Sequence, residues 1–400
     1  MADGARGERL ELLDALRGAA VLGILVDNIQ LFAMPHEGFF HPISFGDATG
    51  WNRVAWHVAN LLFNGRFFSM LMMVFGAAML FGGSGPRDRG VHLRRMAMLA
   101  VLGLAHGGLL WDGDILFVMA LAGTLVYPAR RLGTRWLLVA ALAAGLGGPA
   151  LMVATGAAEL RRPLTESACF DRDWEPSAAA TARQVELQRG SWSDQQSLRV
   201  ARSLDYYSFV IPVYLVWRVA ALALLGMAFY RLGLLSGALH SRTCIRIAAL
   251  SLGAGLPLSV AAVQAALLPS WQPRALFPLA LAYEFGVVTI ASLAWVMAID
   301  LAARQRAGRA IVSRLAVVGR LSLSNYIVQT LICLAVFCGG GLGLFGRVPR
   351  IGQAGLVLMI WGVQVLASVW WQRRFAHGPL EWLLRAVAYG RRLPWRRSPA

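Results

Sequence analysis

The sequence predicts an all-α protein, a polytopic integral membrane helical bundle of about ten transmembrane helices, because its apolar blocks recur at the ~20-residue length of a bilayer crossing. Composition agrees: 15% of the 400 residues are charged, 57% are hydrophobic and mean hydropathy is +0.56. A soluble domain carries about 25% charged residues. The third observation is the placement of the arginines, which gather in alternate connectors between the blocks.

The blocks fall at 15–34, 66–83, 95–111, 113–129, 135–156, 208–233, 245–268, 275–301, 319–345 and 352–372. No small-residue cleavage site follows the first block, so it reads as a retained span. Trp51–Phe63 is amphipathic and reads as an interfacial helix leading into the second span. Trp111-Asp112-Gly113-Asp114 is a short turn between the third and fourth. Three regions follow. Residues 1–156 form an N-terminal half of five spans plus the interfacial helix. Residues 157–207 form an extracytoplasmic loop or small cap. Residues 208–400 form a C-terminal half with a cytoplasmic amphipathic tail, where Pro379 opens a helix and Gly390 stops it.

The formal charge is +17, and every basic residue outside the histidines is Arg. The connectors 84–95, 130–135, 234–246, 302–318 and 373–400 are arginine-rich and poor in acids. The positive-inside rule puts all of them, and both termini, in the cytoplasm. The charge therefore reads as topology, and nucleic acid is excluded as a partner. Membrane lipids are the expected surroundings, and a homo-oligomer is compatible with the sequence. The four cysteines are too scattered for a disulfide framework.

Function is sought among polar groups inside the apolar blocks, since a charge at the bilayer centre costs roughly 2.5–3.5 kcal/mol on insertion scales. The first block carries Arg17, Asp27 and Asn28, with Arg17 and Asn28 on one helical face. That face suits a tunnel with a cation at its cytoplasmic mouth. The plainer alternative is that Arg17 snorkels and pairs with Asp14. His106 stands in an apolar helix beside Gly107 and Gly108. Histidine is the side chain suited to take and return a proton near neutral pH. Asp112 and Asp114 follow it and are candidates to orient its ring; Asp114 reads equally as a helix cap. Glu284 and Arg218 are expected in the membrane, where they suit each other as an ion pair. Asn325, Tyr326 and Gln329 place polar groups in the ninth block, for interhelical hydrogen bonds or for a ligand. The histidines present no metal-ligand spacing.

The stretches LDALRGAAVLGILVDNI, FFSMLMMVFGAAML, LGLAHGGLLWDGDIL, GRLSLSNYIVQTLIC, GLGLFGR and RRFAHGPLEWLLRAVAYG resemble the YeiB-like bacterial membrane proteins. Their C-terminal half carries the domain of unknown function 418. The resemblance covers nearly the whole chain except 157–207 and implies a bacterial plasma (inner) membrane location. More remotely it implies kinship with transmembrane acyltransferases of the heparan glucosaminide and sugar O-acyltransferase types. The latter place a histidine where this chain has Asn28, and an amide cannot act as a base. His106 is the substitute expected, with His36 or His41 as weaker options.

The resulting expectation is an acyltransferase with no permanently bound cofactor and acyl-CoA as co-substrate. Cytoplasmic arginines, Arg17 included, attract the donor phosphates. A small-molecule or glycan acceptor enters from outside and loses a proton to His106. Asp27, Asp112 or Asp114 orients the base, and Asn28, Tyr326 or Gln329 faces the oxyanion. The alternative is a transporter or exporter with a proton-relaying polar midplane through Asp27, His106 and Glu284.

Overall fold

The computed structural model describes residues 2–81, 85–161, 176–267 and 280–396. Cys169 and Trp174 of the expected loop, and the beginning of the block 275–301, lie outside the described residues. Among those described, the chain is helical, with one isolated β-bridge between Phe375 and Arg396.

Helix α1 (Ala2–Ala33) runs through the centre of the molecule. From Leu12 to Met34 most of its side chains are buried, and it packs on α4 (Arg66–Ala78), α13 (Arg306–Arg320), α14 (Ser322–Phe337) and α15 (Arg350–Arg374). Its polar side chains therefore meet protein rather than lipid. Helix α2 (His36–Phe40) and α3 (Gly50–Val58) follow on one side. Arg350 staples this segment by donating to the carbonyls of Gly38, Pro42, Phe45 and Asp47. Hydrogen bonds from Thr49 and Asn52 hold the Asp47 carboxyl below its ordinary range.

The remaining helices are α5 (Pro86–Leu109), α6 (Leu116–Val126), α7 (Thr134–Arg161), α8 (Ala178–Arg189), α9 (Trp192–Asp205), α10 (Val216–Arg231), α11 (Ser241–Ala265), α12 (Val288–Arg304) and α16 (Pro379–Tyr389). Six helical runs are long and apolar enough to cross a membrane: Gly50–Phe81, Thr134–Ala154, Trp192–Arg231, Ser241–Ala265, Ala280–Arg304 and Arg350–Arg374. A seventh is counted if α13 and α14 are one broken span. On the peripheral helices α7, α11 and α15, Leu142, Leu146, Leu250, Leu358 and Leu366 point outward and are exposed. Such a leucine belt suits contact with lipid tails, and helices satisfy their own backbone there.

Several elements differ from the sequence expectation. The polar region 157–207 is largely helical where described. Ser191 and Asp194 cap α9 reciprocally, and α9 continues without a break into the sixth span. The boundary at 207–208 thus falls inside one helical run, Trp192–Arg231. The fourth block is α-helical for only 11 residues, about 16 Å at 1.5 Å per residue, before a 3₁₀ turn over Tyr127–Arg131 containing Pro128. The ninth block is bent: α13 and α14 meet at 81°, and the helix stops at Phe337. Glu381 of α16 stabilises that bend. Its carboxylate accepts from the Leu323 and Ser324 amides and the Ser324 hydroxyl, so a residue near the C-terminus caps α14.

Close crossings rest on paired glycines. Gly76 of α4 lies on the Ala223 carbonyl of α10, and Gly226 of α10 lies on the Met73 carbonyl of α4. Gly18 and Gly319 do the same for α1 and α13 against Leu315 and Asp14. Small residues let backbones touch where no hydrophobic force drives helices together. Gly226→Val should therefore push α4 from α10 at an overpacking cost of about 1–3 kcal/mol, lowering the melting temperature of the detergent-purified protein. Gly253→Ala, which meets nothing within 4 Å, should leave it unchanged or raise it slightly.

Candidate functional site

The sequence candidates fall into two charged clusters inside the bundle, an amide network beside them and a group of arginines at one end of α1.

The first cluster forms around His106, in the last turn of α5. Its Nδ1 is 3.0 Å from Asp114 Oδ1, and its Nε2 is 3.0 Å from Thr330 Oγ1 of α14. The exposures are 2% for His106, 0% for Asp114 and 1% for Thr330. A carboxylate can only accept, so it selects the tautomer with hydrogen on Nδ1 and leaves the Nε2 lone pair toward the threonine hydroxyl. Asp114 also caps α6, its Oδ2 accepting from the Phe117 amide at 2.8 Å. The two sequence readings of Asp114, orienting group and helix cap, are both realised by one side chain. The Tyr326 ring stands 5.1 Å from the imidazole, and Trp111 meets it edge-on.

Asp112 lies 3.9 Å from Arg202 of α9. His36 lies within electrostatic range of the same pair, and burial, reinforced by Arg202, holds its imidazole well below the ordinary histidine range. It is neutral near pH 7 and a weak base.

The sequence reading missed the groups that close this cluster. The end of α5 leaves carbonyls without intrahelical partners. Gln196, Arg199 and Ser203 of α9 donate to Gly108, Leu109 and Gly107. Tyr206 donates to the Asp114 carbonyl, and Tyr207 to Gly103. The signal was present as polar residues at 196, 199 and 203, one stripe of a helix. Thr330, one turn beyond Tyr326, carried no such signal.

The second cluster joins Asp27, Gly65, Arg218 and Glu284. Asp27 Oδ2 accepts from the Gly65 amide at 3.0 Å. Arg218 and Glu284 form an ion pair at 2.6 Å, and Tyr214 takes a further Arg218 hydrogen bond. Both lie over Gly65: a Cβ there would be 3.0 Å from Arg218 Nη2 and 3.3 Å from Glu284 Oε2. Gly65 has φ of 67°, so a side chain would be strained as well as crowded. Asn28 is half-buried beside Asp27 and makes no side-chain hydrogen bond among the described residues.

Asn325 and Gln329 belong to neither cluster. Gln329 donates to the Val21 carbonyl and to Gln364 of α15; Gln364 donates to the Asn325 carbonyl, and Asn325 donates to Ser368. This network ties α14, α15 and α1 together. Arg17 pairs with Asp14 at 2.8 Å. Arg320 approaches the same carboxylate at 3.9 Å, and Arg385 lies within electrostatic range.

The chain is 30% identical over 389 residues to the uncharacterized protein YeiB of Escherichia coli (strain K12), covering 95% of this chain and 96% of that one. The chain belongs to the YeiB-like family. The uncharacterized protein YxaH of Bacillus subtilis (strain 168) is 26% identical over 420 residues, 97% of this chain and 96% of the relative. The family described as protein of unknown function (DUF418) matches residues 229–391. No solved structure matches. The matched region holds Glu284 and Thr330 but neither Asp27 nor His106. Each cluster is thus assembled from both sides of its boundary.

Removing the imidazole strands a buried carboxylate oxygen and a buried hydroxyl. His106→Ala should cost about 1–3 kcal/mol for each charged or polar group left unpaired, seen as a lower melting temperature in detergent. Thr330→Val, close in shape, should cost about 1 kcal/mol. A double-mutant cycle between positions 106 and 330 should show non-additivity.

Proposed function

We propose that the chain is a membrane-bound O- or N-acyltransferase. It would move an acyl group from a cytoplasmic acyl-CoA to a small-molecule or glycan acceptor reached from the outer side. The observation that carries this reading is the buried Asp114–His106–Thr330 chain. It has the order of a general-base relay: a carboxylate fixes the ring, and the free nitrogen faces a hydroxyl. Thr330 Oγ1 marks where an acceptor hydroxyl or amine would sit, and Thr330 has the Tyr326 carbonyl at 3.4 Å to turn to.

In this scheme the acceptor O–H or N–H gives its proton to Nε2 as its oxygen or nitrogen bonds to the thioester carbonyl. Asp114 stabilises the imidazolium. The C–S bond then breaks, and the CoA sulfur takes the proton back from Nε2. Tyr326, whose ring packs on the imidazole, is the oxyanion donor in this scheme.

The reading includes a topology of ten spans with both termini cytoplasmic, in the plasma membrane of a bacterium. The arginine-rich connectors support it, and the bacterial sources of the relatives agree. On this topology His106, Asp114, Asp27, Arg218 and Glu284 occupy the outer half. Arg17, Arg320 and Arg385 lie at the inner mouth, where they would draw the donor phosphates.

A second reading, proton-coupled transport of a small molecule, is favoured by one observation: Asp27 and Glu284 approach each other across Gly65 in the bundle interior. Intramembrane carboxyls mark proton relays in transporters.

Protein in nanodiscs, given radiolabelled acetyl-CoA and a panel of hydroxyl and amine acceptors, should release CoA only when an acceptor is present. His106→Gln should lower that turnover by about 10²–10⁴-fold, the usual share of a general base. Undiminished turnover in the variant removes His106 from the mechanism. Solute uptake into sealed vesicles without CoA release selects the transport reading.

A further inference from the structure

The cluster around Gly65 is built from charged groups whose hydrogen-bonding capacity is not used up within the chain. Asp27 Oδ1 is buried and has no partner, although Oδ2 is bonded to Gly65. Arg218 is 7% exposed. Its Nη1 serves Tyr214 and its Nη2 meets Glu284, while Nε has no partner. A buried charged group left short of a partner is costlier than a neutral one. A carboxyl oxygen in need of a donor therefore stands near a guanidinium N–H in need of an acceptor.

The surroundings limit what can answer both. Arg66, the other cation here, is already satisfied by the Asn60 and Asn64 carbonyls and Ser259. Two carboxyls, Asp27 and Glu284, face two guanidiniums, Arg66 and Arg218. The formal charges cancel, so a ligand of net charge would leave an unbalanced ion in a low-dielectric interior. A neutral ligand carrying separate donor and acceptor ends would not. Charge-assisted hydrogen bonds are about twice as strong as neutral ones, which favours an ammonium and an anion over two hydroxyls.

The cluster also reaches the molecular surface. Within the buried run of α1, Val26, Asp27 and Asn28 are half-exposed, as are Asn64 and Glu284. Three π-helical segments, Ala59–Phe63, Tyr206–Leu215 and Tyr283–Val287, supply Asn60, Tyr214 and Glu284 to the cluster. Such segments recur at functional sites in helices, and here three helices carry them to one place.

We propose that the Asp27–Gly65–Arg218–Glu284 cluster binds a compact zwitterion, its primary ammonium on Asp27 and its anionic group on Arg218. The chemistry is shared by a free amino acid and by the phosphoethanolamine headgroup of a lipid. The proposal rests on neither reading of the overall function, since such a ligand could serve as acceptor or as cargo.

The test is binding, read without any turnover. Protein in phosphatidylcholine nanodiscs, whose headgroup lacks N–H donors, is titrated with glycine and with glycerophosphoethanolamine, following melting temperature and calorimetric heat. Ethanolamine, inorganic phosphate and glycerol are the one-ended and uncharged comparisons. At least one zwitterion should raise the melting temperature in a saturable way, and the comparisons should not. A response to glycine assigns a free solute. A response to glycerophosphoethanolamine alone, matched by higher stability in phosphatidylethanolamine nanodiscs, assigns a lipid headgroup. Asp27→Asn should weaken binding at least tenfold, and Glu284→Gln should weaken it too if the unliganded protein still melts cooperatively. Exposed Arg183→Ala should not. Equal responses to glycerol or ethanolamine, no response to either zwitterion, or full affinity in a folded Asp27→Asn protein overturns the proposal.

Discussion

A helix that carries Arg17, Asp27, Asn28 and Gln30 along an otherwise apolar length can stand only where protein meets its polar atoms. That requirement organises the molecule. Helix α1 occupies the centre, and its polar groups are met partly from elsewhere, by the Gly65 amide for Asp27, and partly by α1 itself, by the Val26 carbonyl for Gln30 and Asp14 for Arg17. Its backbone carbonyls are used as well, since Gln329 and Trp361 donate to Val21 and Leu22. With the polar helix enclosed, the outward surface is left to α7, α11 and α15, whose exposed residues include many leucines.

The same rule explains the helix ends. In an apolar medium an open helix terminus has no water to turn to. The end of α5 is closed by the side chains of α9, the start of α6 by Asp114, and the start of α14 by Glu381 from the tail. The first and last of these caps come from segments that read as accessory when taken alone. The polar region before the sixth span is thereby part of the wall of the His106 cluster. The tail helix likewise sets the 81° bend between α13 and α14.

Much of the architecture was legible in the sequence because burial in lipid leaves a periodic trace. The helical class, the positions of most apolar blocks, the Arg218–Glu284 pair, the Arg17–Asp14 pair and the Pro379–Gly390 tail helix all follow from local pattern and charge. The candidate site was legible only in part. His106, Asp114 and Asp27 stood out because polar groups in an apolar run are costly. Thr330 did not, because a hydroxyl in a membrane helix can satisfy itself on the preceding turn. Asn325 and Gln329 stood out for the same cost, yet their partners proved to be Ser368 and Gln364 of a neighbouring helix.

The amino-acid sequence by itself determined that the chain is helical and apolar, and which few side chains must find polar company. Tertiary structure alone decided which company. Asp27 and Glu284 are more than 250 positions apart, and Gly65 brings them together because it has no side chain to hold them off. His106 reaches Thr330 across 224 residues, a partner that no local pattern specifies. Hydropathy is a sum over neighbours in sequence and records depth. A hydrogen bond between helices depends on rotation and register, which packing fixes and composition does not.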